Sequence, residues 1–579
     1  MTTVGETSLL ATTPDHSEPL VRVRDLVIEF GGRGAPLRAV DHVSFDLHPG
    51  RCHALVGESG SGKSVTARSL IGLAGIDADV TAATLTFAGR DLRTLSPRQW
   101  RQIRGAHIGF VLQDALVSLD PLRTIRQEVA EALSPATRLL RHRRSDRDII
   151  ALLAEVGIPD PETRLDQHSH ELSGGLRQRA LIATAVARAP EVIIADEPTT
   201  ALDATVQRQI LDLLRARAAD GAAVLLISHD LSLVAEIADS VTVMRDGAAV
   251  EEGSPADIFA HPSHAYTRRL LRAVPTAEAR GFRLSEPDRD NDTPVSKRRP
   301  LPRRRITADR VVLRAEGVGK SFTGRGGRSR RALDAVDLEV RAGETVGVVG
   351  ESGSGKTTLM RVMLGLLTPD TGSVLLHGAR WNPLAERARR ADRHRIQFIS
   401  QDPLGSFDPR YSVARLISDG IAVSRDTRAD RHTVAGLLDA VGLAATVADR
   451  RPIHLSGGQR QRVAIARALA ADPEILVCDE PVSALDVSVQ AQVLDLIADL
   501  QFRFGTAVLF VSHDLGVIHH VSDRVVVLEH GAVVETGDVV DVYRRPSHPY
   551  TRALLDAVPR IASAQRPEAD FSNHDRGEP

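Results

Sequence analysis

The chain has 579 residues, 42% of them hydrophobic and 26% charged, with a formal net charge of -2. That is an ordinary globular profile, and near-neutrality argues against a dedicated nucleic-acid binder, whose domain is normally basic. Two cysteines, Cys52 and Cys478, exclude a disulfide framework or a four-cysteine cluster. No apolar run approaches the ~18 residues of a membrane-spanning helix.

Residues 1–20 are polar and read as a frayed tail without a signal peptide. From Val21 to about Thr86 the chain is strand-rich, and the run Ala54-Leu55-Val56 leads into GESGSGKS at 57–64. This fits G-x-x-x-x-G-K-[ST] between a strand and a helix, the context a P-loop needs. Gly57, Ser59, Gly60, Ser61 and Gly62 form a loop whose N–H groups turn inward around phosphates. Lys63 supplies counter-charge, the Ser64 hydroxyl is placed to reach Mg²⁺, and Val65 follows at the helix N-terminus, where partial positive charge faces the phosphates.

Leu92 to about Asp166 carries helical patterns, including residues 126–133. Residues 173–260 alternate helix with apolar strand, which implies a parallel sheet covered on both faces. One strand, Ile193-Ile194-Ala195, ends in Asp196-Glu197. Adjacent carboxylates at a sheet edge suit phosphoryl chemistry: the Asp holds Mg²⁺ and the Glu orients the attacking water. Residues 277–309 lose periodicity and carry a basic, proline-interrupted run at 297–305, read as an exposed linker.

The second half then repeats the first. GESGSGKT at 350–357 supplies Gly350, Ser352, Gly353, Ser354, Gly355, Lys356 and Thr357, with Thr358 next, and Ile475-Leu476-Val477-Cys478 ends in Asp479-Glu480. Lys63 and Lys356 are 293 residues apart, Asp196 and Asp479 are 283 apart, and His229 and His513 are 284 apart. A near-constant offset of this length is domain duplication, not a solenoid. Cys478 lies in the apolar run and reads as a buried thiol. Residues 562–579 form a polar tail.

Between P-loop and carboxylates lie Leu172-Ser173-Gly174-Gly175 and Leu455-Ser456-Gly457-Gly458-Gln459, each leading into a basic helix. Here the chain resembles the ATP-binding cassette ATPases, whose signature is LSGGQ. The resemblance covers nearly the whole chain in two copies. It implies two tandem α/β P-loop NTPase domains, residues 21–276 and 310–561. Each is expected to have a RecA-like core, an antiparallel β subdomain and a helical subdomain. By the same resemblance Gln113 and Gln401 are glutamine-loop residues that reach Mg²⁺ with Ser64, Thr357, Asp196 and Asp479. Residues 201–203 and 484–486, ending in Asp203 and Asp486, match the D-loop. Glu197, Glu480, His229 and His513 take the catalytic positions. Phe30 and Phe322 stand where the family places an adenine-stacking aromatic; a core phenylalanine is the competing reading.

In the family arrangement two halves pack head-to-tail. ATP bound at Lys63 is then completed by Ser456, and ATP at Lys356 by Ser173. Leu176 stands where the family usually has Gln; two hydrolytic sites are expected, and either the site of Lys356 and Ser173 differs in affinity or rate or the change leaves the two alike.

The glutamine loops and the segments HPSHAYT at 261–267 and RPSHPYT at 545–551 are similar to those of the peptide/nickel importer ATPases. This resemblance implies ATP and Mg²⁺ as ligands, two transmembrane permease subunits and an extracytoplasmic solute-binding protein as partners, and a place at the cytoplasmic face of the membrane. It also implies a peptide-like cargo, with glutathione and nickel open. The cysteines of an iron–sulfur extension are missing, so no cluster is expected, and the His-Pro extension is read as structural. A ribosome-acting tandem-cassette translation factor is the rival, but such factors need a long charged arm and a basic surface. DNA-repair cassettes need insertions that are not visible.

Overall fold

The computed structural model describes residues 18–31, 36–113, 118–134, 146–199, 202–285, 298–323, 329–423, 433–483 and 485–558. The chain divides into two compact units. One comprises Met1–Trp100, Arg217–Leu271 and Pro559–Pro579; the other comprises Arg101–Ala216 and Arg272–Val558. The division does not follow the repeat: residues 101–216 of the first copy belong to the unit that holds the second.

In the first unit, Val21–Phe30 pairs antiparallel with Leu37–Leu47, Ala78–Thr81 and Thr84–Phe87. Val21, Val23, Leu26 and Ile28 are buried. A second, parallel set places Cys52–Val56 between Ala223–Ser228 and Ser240–Arg245. Every residue of Cys52–Val56 and Ala223–Ser228 is buried, as parallel strands covered on both faces must be. Ala248–Gly253 closes the edge antiparallel.

The second unit holds the second copy as far as Val558. Its six-stranded sheet runs Ile396–Ile399, Ile475–Asp479, Ala507–Val511, Thr345–Val349, Arg524–Glu529, Ala532–Asp538, with only the last strand antiparallel. An antiparallel sheet of Ser329–Ala342, Thr307–Thr323, Thr371–Leu376 and Ala379–Asn382 accompanies it. The same unit carries two first-copy strands, Ile108–Val111 and Val192–Asp196, paired parallel. The helix foreseen at 126–133 is Ile125–Leu133, started by a reciprocal cap between Thr124 and Gln127. Both copies thus show the α/β plan that the alternation of helix and strand implies.

The segment between the copies departs from its expected exposure. Residues 286–297 lie outside the described residues, but both flanks pack on the second copy. Ala279 (0% exposed) and Leu284 (2%) belong to the same apolar core as Leu494 and Ile497. Arg283 makes a two-point ion pair with Asp499, at 2.5 and 2.9 Å. Arg304 donates to Thr345 Oγ1 and Gln501 Oε1 and pairs with Asp523 at 3.0 Å. Asp495, only 3% exposed, accepts from the Leu284 N–H, the Ser285 N–H and the Ser285 hydroxyl. Arg280, Arg283 and Arg304 thus each meet acceptors on the second copy, whereas Arg299, Arg303 and Arg305 stay exposed.

Replacing Asp495 strands two backbone donors in a buried place. Asp495→Ala is expected to cost about 2 kcal/mol in urea unfolding of the full chain. A loss within about 0.5 kcal/mol, the size of an ordinary surface change, would mean that the segment does not brace the second copy.

Candidate functional site

The site begins where the central strand Thr345–Val349 turns into the helix Lys356–Met363. Gly350 has φ +150°, and a Cβ there would lie 2.2 Å from the Leu528 carbonyl oxygen. Gly355 has φ +109°, and its Cβ would lie 2.5 Å from the Ala332 oxygen. No other residue fits either place. The first copy repeats both approaches, Gly57 to Met244 O at 2.2 Å and Gly62 to Ala39 O at 2.5 Å.

The turn buries its lysine. Lys356 Nζ donates to Gly350 O at 2.6 Å and Glu351 O at 2.9 Å. Lys63 Nζ does the same to Gly57 O and Glu58 O, and also to Ser61 Oγ. Burial lowers the Lys356 pKa, against the opposing pull of Glu480, Asp203, Asp479 and Glu351. Ser354 Oγ is buried without a hydrogen-bond partner. A buried ammonium beside an orphaned hydroxyl and a cradle of left-handed glycines suits a phosphate.

The carboxylates sit at the end of the neighbouring strand Ile475–Asp479. Burial, then the Glu480 charge, pushes Asp479 up to about 6. Glu480 bends out of the strand at φ +45°. Its Oε2 accepts from Gln401 Nε2 at 2.8 Å, and its Oε1 lies 3.0 Å from His513 Nδ1. Burial raises the Glu480 pKa, but the His513 bond and charge, with Lys356 behind them, win and hold it below the ordinary value. Burial likewise opposes the His513 charge, and Glu480 overrides it, so His513 is raised. The first copy reproduces part of this set: Glu197 has φ +49°, and Gln113 Nε2 donates to Glu197 Oε2 at 2.8 Å. Asp196 is fully buried. His229 follows the strand Ala223–Ser228, as His513 follows Ala507–Val511.

Each signature serine caps a helix. Ser456 and Gln459 form a reciprocal box at the start of Gly457–Leu469. Ser173 accepts from the Leu176 N–H at the start of Gly174–Val186, but Leu176 has no group with which to answer. In this structure the Leu-for-Gln change therefore removes half of a helix cap.

Two contacts that the motifs did not foretell join first-copy residues to the second P-loop inside one unit. Asp203 Oδ2 accepts from the Ser352 N–H at 3.2 Å, and Thr205 Oγ1 donates to Glu351 Oε1 at 2.7 Å. Asp203 also caps its own helix through the Val206 N–H, as Asp486 does through Val489. Residues Ala201 and Ala484 of the D-loops lie outside the described residues, as do 114–117 of the first glutamine loop.

Phe322 is 46% exposed, with Lys320 Nζ 5.9 Å from its ring centroid. That excludes a core role for it. Phe30 is partly buried and its ring packs on Gly75. Cys52 and Cys478 are buried and not joined in a disulfide, and burial pushes Cys478 up to about 12. Among the described residues no helix is long and apolar enough to cross a membrane. Among them no cluster of His, Cys, Asp or Glu is placed to hold a metal by itself. Mg²⁺ is commonly bound by one or two protein oxygens plus phosphates. Thr357 and Asp479, both in the second unit, supply oxygens of that kind.

A duplicated P-loop with paired carboxylates, a histidine and a capped serine-glycine helix defines a two-cassette nucleotide hydrolase. The chain belongs to the ABC transporter family, whose description matches residues 40–200 and 333–483, and it is an ATPase of that family. A second family, "Oligopeptide/dipeptide transporter, C-terminal region", matches residues 250–295 and 534–576. The peptidoglycan transport ATP-binding protein YejF of Agrobacterium fabrum is 43% identical, covering 95% of this chain and 98% of its own length. The oligopeptide transport ATP-binding protein OppD of Mycobacterium tuberculosis is 39% identical over 95% of this chain and its own full length (100%). The glutathione import ATP-binding protein GsiA of Escherichia coli is 40% identical over 96% and 92%. Among solved structures, a model of ribosome-bound archaeal Pelota and ABCE1 aligns at TM-score 0.61 and 22% identity, covering 92% of this chain and 80% of that one. That likeness shows the fold alone.

Two outcomes are expected. Leu176→Gln should complete the helix cap and stabilise the unit by about 0.5 kcal/mol in denaturant unfolding; a destabilised variant would rule out the cap. The His513–Glu480 pair contributes stability that is fully present between the ordinary carboxylate range and about pH 6.5, and is lost as pH rises through the raised His513 value or falls through the lowered Glu480 value. The Tm gap between wild type and His513→Ala should therefore shrink as pH is raised above 7, and a widening gap would reverse the assignment.

Proposed function

We propose that this chain is the ATP-hydrolysing subunit that powers import of a di- or oligopeptide. The solute would pass through two separate transmembrane permease subunits, supplied by an extracytoplasmic solute-binding protein. The chain would sit at the cytoplasmic face of the membrane, held there by the permeases. The observation that carries this reading is the oligopeptide-transporter region, present once after each cassette. The naming of relatives near 40% identity over almost the whole chain as peptidoglycan, oligopeptide and glutathione transport proteins supports it.

At the second site, Lys356, Ser354 and the N–H groups of Gly353, Gly355, Lys356, Thr357 and Thr358 hold the phosphates, and Phe322 offers a face to the adenine. Thr357, Gln401 and Asp479 would hold Mg²⁺, which when bound would neutralise phosphate charge. Glu480, kept ionised by His513 and steadied by Gln401, orients and polarises the attacking water. Ser173, Gly174 and Gly175 of the first copy complete this site. The bonds from Asp203 and Thr205 to residues 351–352 support a head-to-tail arrangement. The first site uses Lys63, Ser64, Gln113, Asp196, Glu197 and His229 in the same roles, completed by Ser456, Gly457, Gly458 and Gln459. Leu176, in place of the second copy's Gln459, is where the two signatures differ. Closure on ATP and release on hydrolysis then drive the permeases. The ribosomal alternative has only a likeness of fold at 22% identity in its favour.

Glu480→Gln is expected to cut turnover by on the order of 10²-fold or more while ATP stays bound; unchanged turnover in the Glu197→Gln/Glu480→Gln double variant would remove both from catalysis. The functional reading is tested by tagging the chain and identifying what co-purifies from native membranes in mild detergent. Two multi-span permeases and a solute-binding protein are expected. Ribosomal proteins without a permease would overturn import.

A further inference from the structure

The His-Pro extension of each copy ends on its own P-loop. In the first unit the Glu58 N–H donates to Tyr266 Oη at 3.0 Å. In the second the Glu351 N–H donates to Tyr550 Oη at 2.9 Å. The same peptide groups are gripped from the other side by the P-loop lysines. Lys63 Nζ lies 2.8 Å from Gly57 O, and Lys356 Nζ lies 2.6 Å from Gly350 O. Each Gly-Glu peptide is thus held at its carbonyl by the lysine and at its N–H by the tyrosine.

The tyrosines are themselves set by a short relay, identical in the two copies. Glu251, on the edge strand Ala248–Gly253, accepts from the Ser263 N–H at 2.6 Å and the His264 N–H at 3.2 Å. His264 Nδ1 then accepts from the Tyr266 N–H at 3.2 Å. In the second copy Glu535 accepts from the Ser547 and His548 N–H groups at 2.7 and 3.1 Å. His548 Nδ1 accepts from the Tyr550 N–H at 3.3 Å. This accounts for the motif residue by residue: the glutamate fixes the loop, the histidine starts the helix, and the helix presents the tyrosine. Tyr266 is almost fully buried. Burial, foremost, pushes the Tyr550 hydroxyl up to about 12, so it stays neutral and available as an acceptor. Duplication of every bond over two copies argues against incidental packing.

We propose that Tyr266 and Tyr550 are positioning residues for nucleotide binding. Each fixes the orientation of the peptide that its P-loop lysine also grips, which makes the extension a working part of the phosphate site. In the second copy the neighbouring residues Glu351 and Ser352 also bind Thr205 and Asp203. There the extension and the opposite D-loop hold one stretch of P-loop between them. This inference rests on Lys63 and Lys356 being phosphate ligands.

The test is the full chain carrying Tyr266→Phe and Tyr550→Phe, which keep both rings and remove only the hydroxyls. An unanswered, partly buried N–H lets the peptide turn, so affinity for Mg-ADP by calorimetry is expected to fall roughly five- to tenfold. The KM for ATP should rise in parallel, with kcat within about twofold. Wild-type affinity and KM in the double variant would overturn the proposal, as would a lowered Tm with unchanged affinity, the mark of a purely structural role. If the double variant does not fold, each single variant is read by the rise in Tm that Mg-ADP induces, and a rise equal to wild type overturns it equally. Lys63→Ala/Lys356→Ala serves as the control. Full affinity there would sink the phosphate-site assignment itself, whereas lost affinity there with intact affinity in the tyrosine variants would sink the tyrosine proposal alone.

Discussion

Everything at the second site depends on one steric constraint, the place where the strand Thr345–Val349 turns against the strand beside it. With Leu528 O only 2.2 Å from where a Cβ of Gly350 would be, the chain leaves the sheet bare of side chain. It then winds straight into the helix that starts at Lys356. That turn sends the lysine back under its own loop. The other participants come from the ends of adjacent strands. Asp479 and Glu480 end Ile475–Asp479, and His513 follows Ala507–Val511, which lies between that strand and the central one. Reactive groups gather at the carboxyl ends of parallel strands because only there do neighbouring loops open in the same direction.

Gathering them has an electrostatic cost, which is met pairwise. An ammonium, two carboxylates and an imidazole all lose water. Each alone would be driven toward its neutral form. Glu480 and His513 escape by facing each other; at Lys356 four carboxylates oppose the effect of burial without overcoming it. Asp479 is left as the least satisfied charge, raised to about 6. A divalent cation beside it would relieve exactly this imbalance, which agrees with the role that the chain's family membership suggests for it.

Much of this was legible in the sequence because the chemistry is written in contiguous runs. The P-loops, the Asp-Glu pairs and the signatures each span a few residues, and their recurrence at a steady offset fixed the duplication. What escaped is held together over long separations. The bonds of Asp203 and Thr205 to the second P-loop, and those of Tyr266 and Tyr550 to their own, leave no local pattern. The inter-copy segment misled for a different reason. Its arginines read as solvated by composition, yet Arg283 and Arg304 meet partners 216 and 219 residues later. Phe322 was ambiguous because an aromatic on a strand signals burial and stacking equally well, and only exposure separates them.

The seating of that segment sets an order of events during synthesis. Leu284 and Ser285 leave the ribosome 211 and 210 residues before Asp495, the carboxylate that receives them. Domains fold largely as they emerge, the earlier part first. The first copy can therefore gain its own strands while the apolar edge around Ala279 and Leu284 still waits. Docking closes only after the helix Val487–Phe504 has been made. A chain truncated between that segment and that helix would carry a greasy, unclaimed stretch, the kind of feature by which quality-control proteases and chaperones recognise an unfinished product.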